Sequence, residues 1–185
     1  MEPVYLDLHI HTSKDPSNLN ENYDLETLIT QVKKTAQGGV FLISLTDHNA
    51  VNKKVYLDAV GVIPNNLVLG VELHVQTHKG IDTKAYHCHI YFNLKGIDIT
   101  EEVINGINSK LDSLYPNKSP ALTDESIPDV QRIIEIFDEY DFLLLPHGGQ
   151  THATFDKAMP KGREFDNAMH RIKRSGTFMI QSAHG

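Results

Sequence analysis

The chain has 185 residues, of which 40% are hydrophobic and 22% charged, which is the composition of an ordinary globular domain. Its formal net charge of −7 argues against binding nucleic acid through bulk charge, and its single cysteine excludes an internal disulfide and a paired-cysteine zinc site. We therefore expect one domain over residues 1–185, in which any metal is held by nitrogen and oxygen ligands.

The first elements are predicted to be a strand, a helix and a second strand. Val4 to His11 alternates branched or aromatic residues with others, which predicts a strand. Asp24 can cap a helix with apolar residues at helical spacing, and Gly38-Gly39 can end it. The apolar run from Val40 to Leu45 predicts a buried strand that leads into Thr46-Asp47-His48-Asn49.

The middle of the chain is predicted to contain two strands and a helix. Leu67 to Val71 is an apolar run that leads to Glu72, and Tyr86 to Phe92 is a second one. The segment between them is too short for a crossover helix, so we expect a hairpin-like or irregular join. The pattern from Ile99 to Leu114 predicts a helix, followed by a polar, proline-containing loop.

The last third continues the alternation of helix and strand. A helix is predicted from Ser126 to Tyr140, with Ser126 and Asp129 in capping-box spacing. Phe142 to Leu145 predicts a fifth strand, and a helix near Arg163 to Ser175 precedes a sixth apolar run, Thr177 to Ile180. Alternating strands and helices favour an α/β fold with a mostly parallel sheet, open or closed.

Residues of the types that bind metals lie on these strands or at their ends, in a chain with 11 histidines. His9 and His11 are two residues apart on the first strand, so their side chains project to the same face and can chelate one metal. The later strands contribute Asp47, His48, Glu72, His87, His89 and His147. Because functional residues gather at the carboxyl ends of strands in parallel α/β sheets, we expect these side chains to converge around cations.

Five motifs in this region resemble those of a known family. They are Asp7-Leu8-His9-Ile10-His11-Thr12-Ser13, Thr46-Asp47-His48, Gly70-Val71-Glu72, His87-Cys88-His89-Ile90 and Pro146-His147-Gly148. Their order over about residues 4–149 resembles the PHP (polymerase and histidinol phosphatase) family. The resemblance implies a distorted seven-stranded barrel of the (β/α)7 type, up to three metals, and hydrolysis of phosphoesters.

The resemblance also implies a ligand for each metal. His9 and His11 would bind one metal and His48 a second, while Glu72 would bridge metals. A histidine of the fourth strand and His147 would complete a third site, and the sequence leaves the choice between His87 and His89 open.

Four further residues near the motifs have competing interpretations. Asp15, in the loop after the first strand, is either a metal ligand or a loop residue. Asp47 is expected to orient a ligating imidazole. His74 and His78 are interpreted as surface histidines.

The end of the chain departs from the family pattern. PHP domains generally finish their site with an Asp-x-His motif, whereas this chain ends in Ile180-Gln181-Ser182-Ala183-His184-Gly185. His184 superficially resembles that motif, but the acid is missing. We therefore expect either the N-terminal part of a longer PHP protein or a barrel that is incomplete or truncated at its C-terminal end.

The reaction implied is hydrolysis of a phosphate ester by a metal-activated water, with about two to three divalent Zn, Mn or Fe ions. The leaving group would be protonated by a metal-bound water or by a nearby histidine, for which His152 is the candidate. The substrate is expected to be a phosphorylated small molecule or a nucleic-acid end. The basic stretch between Lys157 and Arg174 could contact phosphates, although a solvated helix face is the slightly favoured interpretation.

Two other functions are compatible with the same histidines. One is a catalytically inactive or regulatory metal-binding PHP module of a larger protein, which the missing acid–histidine pair favours. The other is C–N hydrolysis of the amidohydrolase kind, which usually uses a metal-bridging lysine, and no lysine lies at these strand exits.

The sequence also predicts a location. No apolar run approaches the roughly 20 residues that cross a bilayer, and Met1-Glu2-Pro3 lacks the features of a secretory signal. We expect a cytoplasmic protein without a membrane partner, and the sequence leaves the oligomeric state open.

Overall fold

The computed structural model of the chain describes residues 4–76 and 84–147, together with Thr154 and Ala158. Three of the histidines considered above, His78, His152 and His184, lie outside the described residues, as do the predicted helix near 163–175, the sixth strand at 177–180 and nearly all of the basic stretch.

The described residues form five strands and four α-helices. In chain order they are β1 (Val4–Ile10), α1 (Leu25–Thr35), β2 (Val40–Leu45), α2 (Lys53–Val62), β3 (Val68–Val75), β4 (Tyr86–Lys95), α3 (Glu101–Leu114), α4 (Val130–Ile136) and β5 (Phe142–Pro146). One contiguous apolar core joins these elements. No helix within the described ranges combines the length and apolarity needed to cross a bilayer.

The strands form two small sheets, and the prediction of a mostly parallel sheet is wrong for the second. β1 and β2 pair in parallel. β4 lies between β3 and β5 and is antiparallel to both, as a hairpin-like connection of β3 to β4 requires, and most of the join itself lies outside the described residues. Parallel bridges between Ile43 and Leu67 and between His48 and Glu72 connect β2 to β3. Over the described residues the chain is therefore a mixed α/β structure without a closed seven-stranded barrel.

The junction between the two sheets depends on α2, a helix that the sequence analysis missed. The Asn52 side chain caps it by accepting from the Val55 amide, and the buried Tyr56 directs its hydroxyl between β2 and β3. That oxygen accepts from the amides of Leu45 (3.1 Å) and Gly70 (2.9 Å) and donates to the Leu45 carbonyl (2.7 Å). The tyrosine thus satisfies buried backbone groups where the strands lack a regular ladder.

The predicted boundaries of the other helices are mostly confirmed. The Asp24 carboxylate caps α1, and Gly38 has a φ of 79° just after the helix. The helix predicted from Ser126 is shorter than expected, because Asp129 is its N-cap and accepts from the Arg132 amide at 2.9 Å. Pro128, which precedes this cap, disfavours a helical conformation at residue 127.

Candidate metal centre

The candidate centre lies where the carboxyl ends of β1, β2 and β5 meet β3 and β4. Because β4 is antiparallel to β3, its first residues lie beside the last residues of β3, and Glu72 pairs with His89 while His74 pairs with His87. The amide of His147, directly after β5, donates to the carbonyl of His87 at 2.8 Å. Histidines from both sheets therefore converge, although β4 contributes from its amino end.

Glu72 is at the middle of this cluster and is almost completely buried, with 1% of its surface exposed. Its Oε2 lies 3.1 Å from His9 Nε2, 3.0 Å from His11 Nε2 and 3.4 Å from His48 Nδ1. Its Oε1 lies 2.9 Å from His87 Nδ1. The Nε2 atoms of His9 and His11 are themselves 3.0 Å apart. One carboxylate thus faces four imidazole nitrogens through its two oxygens.

The carboxylate stays ionised in this environment. Burial opposes ionisation, but the hydrogen bonds from His11, His87 and His9 outweigh it and hold the pKa of Glu72 far below its usual range. In return, the hydrogen bond to Glu72 raises the pKa of His11, against the effect of its own burial. Glu72 therefore brings a fixed negative charge to the cluster.

Other imidazoles pack against this group through their rings. The ring of His9 lies 4.4 Å from that of His89 and 5.3 Å from that of His147, centroid to centroid. The ring of His48 lies 4.9 Å from that of His87. The Nε2 of His89 and the Nδ1 of His147 are buried without a hydrogen-bond partner among the described residues. Buried nitrogens without partners are costly, so these two are available to a ligand that supplies the missing interaction.

Most of these imidazoles are neutral at pH 7. Burial lowers the pKa of His48 to about 4 and the pKa values of His74 and His89 to about 3. Burial also lowers the pKa of His147. Only a neutral imidazole has a lone pair for a metal, so the environment favours the form that ligation requires.

The donor atoms fit divalent cations. Three sets of side chains each place one possible ligand atom per residue within 4.8 Å of the others. The sets are His9, Glu72 and His89; His11, His48 and Glu72; and His48, His74 and His87. Together with the nitrogens of His89 and His147 that are buried without a partner among the described residues, imidazoles around one carboxylate are a donor set that suits Zn, Mn or Fe.

Both histidines of the fourth strand belong to the cluster. His87 contacts Glu72 directly, whereas His89 packs against His9 on the side that carries His147. The choice between His87 and His89 as the ligand of the fourth strand therefore stays open, because both lie in the cluster.

Asp47 stabilises the loop that follows β1, a role different from the one expected. It is buried, and its carboxylate accepts from the Thr12 amide (2.7 Å), the Thr12 hydroxyl (2.5 Å) and the Ser13 amide (2.8 Å). These bonds go to the loop after His11 and not to an imidazole. Asp47 thus positions His11 through the backbone.

Asp15 lies apart from the histidines. Its side chain is exposed, and its Oδ1 accepts from the Ser17 amide at 2.9 Å, which closes the loop. It belongs to none of the three sets formed by described side chains. This hydrogen bond supports the interpretation of Asp15 as a loop residue, and ligation of a metal by Asp15 stays a prediction.

His74 was predicted to be a surface histidine, and that prediction is wrong, because the residue is buried within the cluster. It is 8% exposed, and its ring lies 4.6 Å from that of His87 and 5.4 Å from that of His48. The apolar run predicted a third strand that ends at Val71, but β3 continues to Val75. In a strand of that length, residues two apart share a face, so His74 would have been placed beside Glu72.

Comparisons with known proteins give only weak likenesses. No protein-family model matches the sequence, and no curated protein is significantly similar to it. A solved structure from Bifidobacterium adolescentis, described as a candidate metal-dependent phosphoesterase, aligns with a TM-score of 0.49 and 12% identity over 96% of this chain and 76% of that chain. An amidohydrolase from Chromobacterium violaceum, with bound sulfate and no metal, aligns with a TM-score of 0.48 and 12% identity over 95% and 75%. Likenesses at this level assign no reaction, so the function has to be argued from the site.

Proposed function

We propose that this chain is a metal-dependent phosphoesterase of the PHP kind, which hydrolyses the phosphate ester of a small molecule or of a nucleic-acid end. The observation that carries the proposal is Glu72, a buried carboxylate whose two oxygens face imidazole nitrogens of His9, His11, His48 and His87 at 2.9–3.4 Å. A buried, ionised carboxylate between several imidazoles is the arrangement expected for a ligand shared by neighbouring cations.

Six side chains besides Glu72 are proposed to hold about two to three cations. They are His9, His11, His48, His87, His89 and His147, all of which contact one another or Glu72. When bound, the cations would lower the pKa of a water molecule and balance charge on the phosphoryl oxygens. The ionised Glu72 offsets part of the positive charge that would otherwise repel neighbouring ions.

The protein supplies the remaining requirements by positioning. Asp47 fixes the loop after His11, and the bridge between His48 and Glu72 fixes the distance between the two sheets. Such fixed positions reduce the reorganisation needed when substrate binds. Protonation of the leaving group by His152 stays a prediction, because that residue lies outside the described ranges.

The proposal is tested by assaying the purified protein with Mn²⁺ on an aryl phosphate and on an oligonucleotide with a terminal phosphate. We expect turnover, and we expect His9→Ala to reduce it by more than about 100-fold. Losing a residue that only hydrogen-bonds a metal ligand can cost up to about that factor, and His9 is proposed to be a ligand itself. Asp58→Ala, at an exposed residue of α2, is the matched control and should retain full activity.

The same assay separates the proposal from the runner-up, a metal-binding module without catalytic activity. A chain that retains its metal and turns over neither substrate would support the module and contradict the phosphoesterase.

A further inference from the structure

His74 belongs to a set of three imidazoles, with His48 and His87, that has no carboxylate. Taken by distance alone, this set is a candidate metal site in addition to those around Glu72. The hydrogen bonds of His74 test that interpretation, because a metal needs a ring nitrogen with a free lone pair.

The side chain of Asn49 determines which nitrogen of His74 carries the proton. Its Oδ1 accepts from the His74 amide at 3.0 Å, and its Nδ2 donates to the Lys118 carbonyl at 2.9 Å. Exchanging the amide oxygen and nitrogen would set a donor against the His74 amide and an acceptor against that carbonyl, so the orientation is fixed by two backbone groups. Nδ2 therefore also donates to His74 Nδ1, at 2.8 Å.

The Asn49 side chain therefore allows only one tautomer of the His74 ring. Since Nδ1 accepts a hydrogen bond, the proton of the neutral imidazole is on Nε2. A protonated Nε2 has no lone pair for a cation. The hydrogen bonds of His74 therefore argue against the metal site that the distances between His48, His74 and His87 suggest. The hydrogen bonds determine the form of the ring, because two backbone groups fix the Asn49 amide independently of the cluster.

We propose that His74 is a fixed hydrogen-bond donor for a phosphoryl oxygen of the substrate and is not a metal ligand. This inference rests on the proposed phosphoesterase function for the identity of its ligand. A neutral N–H is suited to this position, because it binds an anionic oxygen without adding positive charge beside the cations. His74 would thus complement the six histidines that hold metal.

The backbone around His74 keeps this donor in place. The Tyr115 hydroxyl donates to the His74 carbonyl at 2.7 Å, and His74 pairs with His87 across β3 and β4. Asn49 is buried and has a φ of 52°, a conformation that asparagine adopts more readily than most residues. A donor with these supports needs little rearrangement when an oxygen arrives.

The first test reads the proton position directly. Long-range 1H–15N correlation spectra of the 15N-labelled chain, metal-free and loaded with Zn²⁺, report which ring nitrogen of His74 is protonated, and His74→Gln assigns the signals. We expect a proton on Nε2 in both states. A proton on Nδ1 with zinc bound at Nε2 would overturn the proposal, whether or not the protein hydrolyses any ester.

The second test compares two replacements in the zinc-loaded chain. The side-chain amide of His74→Gln can replace the Nε2–H donor, whereas His74→Ala cannot. We expect both variants to keep the zinc content of the wild type, and we expect His74→Ala alone to weaken binding of inorganic phosphate about 10-fold or more. His89→Gln is the control for a lost metal ligand and should lower the zinc content.

Three results of this comparison would contradict the donor role. The first is loss of a zinc ion in His74→Gln, which would make His74 a ligand. The second is unchanged phosphate binding in His74→Ala, and the third is no phosphate binding by the zinc-loaded wild type. Phosphate binding that depends on His74 without any ester hydrolysis would instead refute the phosphoesterase and leave the donor in place.

Discussion

His48, three residues after the end of β2, and Glu72, within β3, are joined by a parallel bridge. The Glu72 amide donates to the Asp47 carbonyl at 3.2 Å, and the Asn49 amide donates to the Glu72 carbonyl at 2.8 Å. The two sheets therefore meet at the candidate metal centre itself. Whatever holds β2 against β3 also determines how closely these two side chains approach.

Tyr56 is predicted to stabilise this junction. In Tyr56→Phe the buried amides of Leu45 and Gly70 lose their acceptor, which should lower the free energy of unfolding by about 1–3 kcal/mol. Urea denaturation of the metal-free protein measures the change. Tyr23→Phe, at a partly buried tyrosine, is the control and should change stability by less than about 0.5 kcal/mol. Equal stability of Tyr56→Phe and wild type would show that the hydroxyl does not connect the strands.

Gly70 is predicted to be required at its position in β3, two residues before Glu72. A Cβ there would lie 2.5 Å from Ser44 Oγ and 2.8 Å from Tyr91 Cδ1. We expect Gly70→Ala to destabilise the protein by about 1–3 kcal/mol. Gly61→Ala in α2 is the matched control, because a Cβ added at this position would meet no atom within 4 Å. This variant should raise the free energy of unfolding by up to about 1 kcal/mol. The same sign for both variants in thermal unfolding would contradict this.

Asp47 is predicted to couple stability to metal binding. Asp47→Ala leaves the amides of Thr12 and Ser13 without their acceptor, which should cost about 2–4 kcal/mol. Because the released loop follows His11, metal affinity should also fall about 10–100-fold. Calorimetric zinc titration at a temperature where the variant is folded measures the affinity. Unchanged affinity in a destabilised variant would restrict Asp47 to a structural role.

The stability of the metal-free protein is predicted to fall as the pH is lowered. The folded state holds the pKa values of His48, His74 and His89 at about 4, 3 and 3. Their unfolded value is about 6.5, so below it the unfolded chain takes up protons that the folded chain does not. Glu72 has a lowered pKa, so its contribution is present above about pH 4.5 and is lost in acid.

His11 acts in the opposite direction, because its pKa is raised and its contribution is lost as the pH rises. The three strongly lowered histidines outweigh it. Urea denaturation in the presence of a chelator, between about pH 7 and pH 4, should therefore show a steady loss of stability. His89→Gln should flatten the profile, and a profile that rises toward acid would refute the description of these histidines as buried and neutral.

The sequence predicted the strands and most of the converging histidines because local patterns determine them. The spacing of His9 and His11 and the apolar runs of β2 and β5 needed no tertiary information. The direction of β4 relative to β3 depends on which strands become neighbours. In the sequence, only the short segment between the two strands indicated that they are antiparallel.

The residues that sequence reasoning missed have weaker local signals. α2 has only ten residues and contains Gly61, and its clearest signal was the Asn52 cap ahead of apolar residues at positions 55, 56 and 59. The role of Tyr56 could not be predicted at all, since its partners lie 11 to 14 residues away in β2 and β3. His74 was missed because the predicted third strand ended too early.

The most direct test of the central claim is a count of metals per chain by elemental analysis of the purified wild type and of Glu72→Gln. Gln keeps the shape of the side chain but removes the charge that faces four imidazoles. We predict about two to three divalent ions in the wild type and the loss of at least one in the variant. Less than one ion per wild-type chain after reconstitution, or an equal count in both proteins, would contradict a metal centre organised by Glu72.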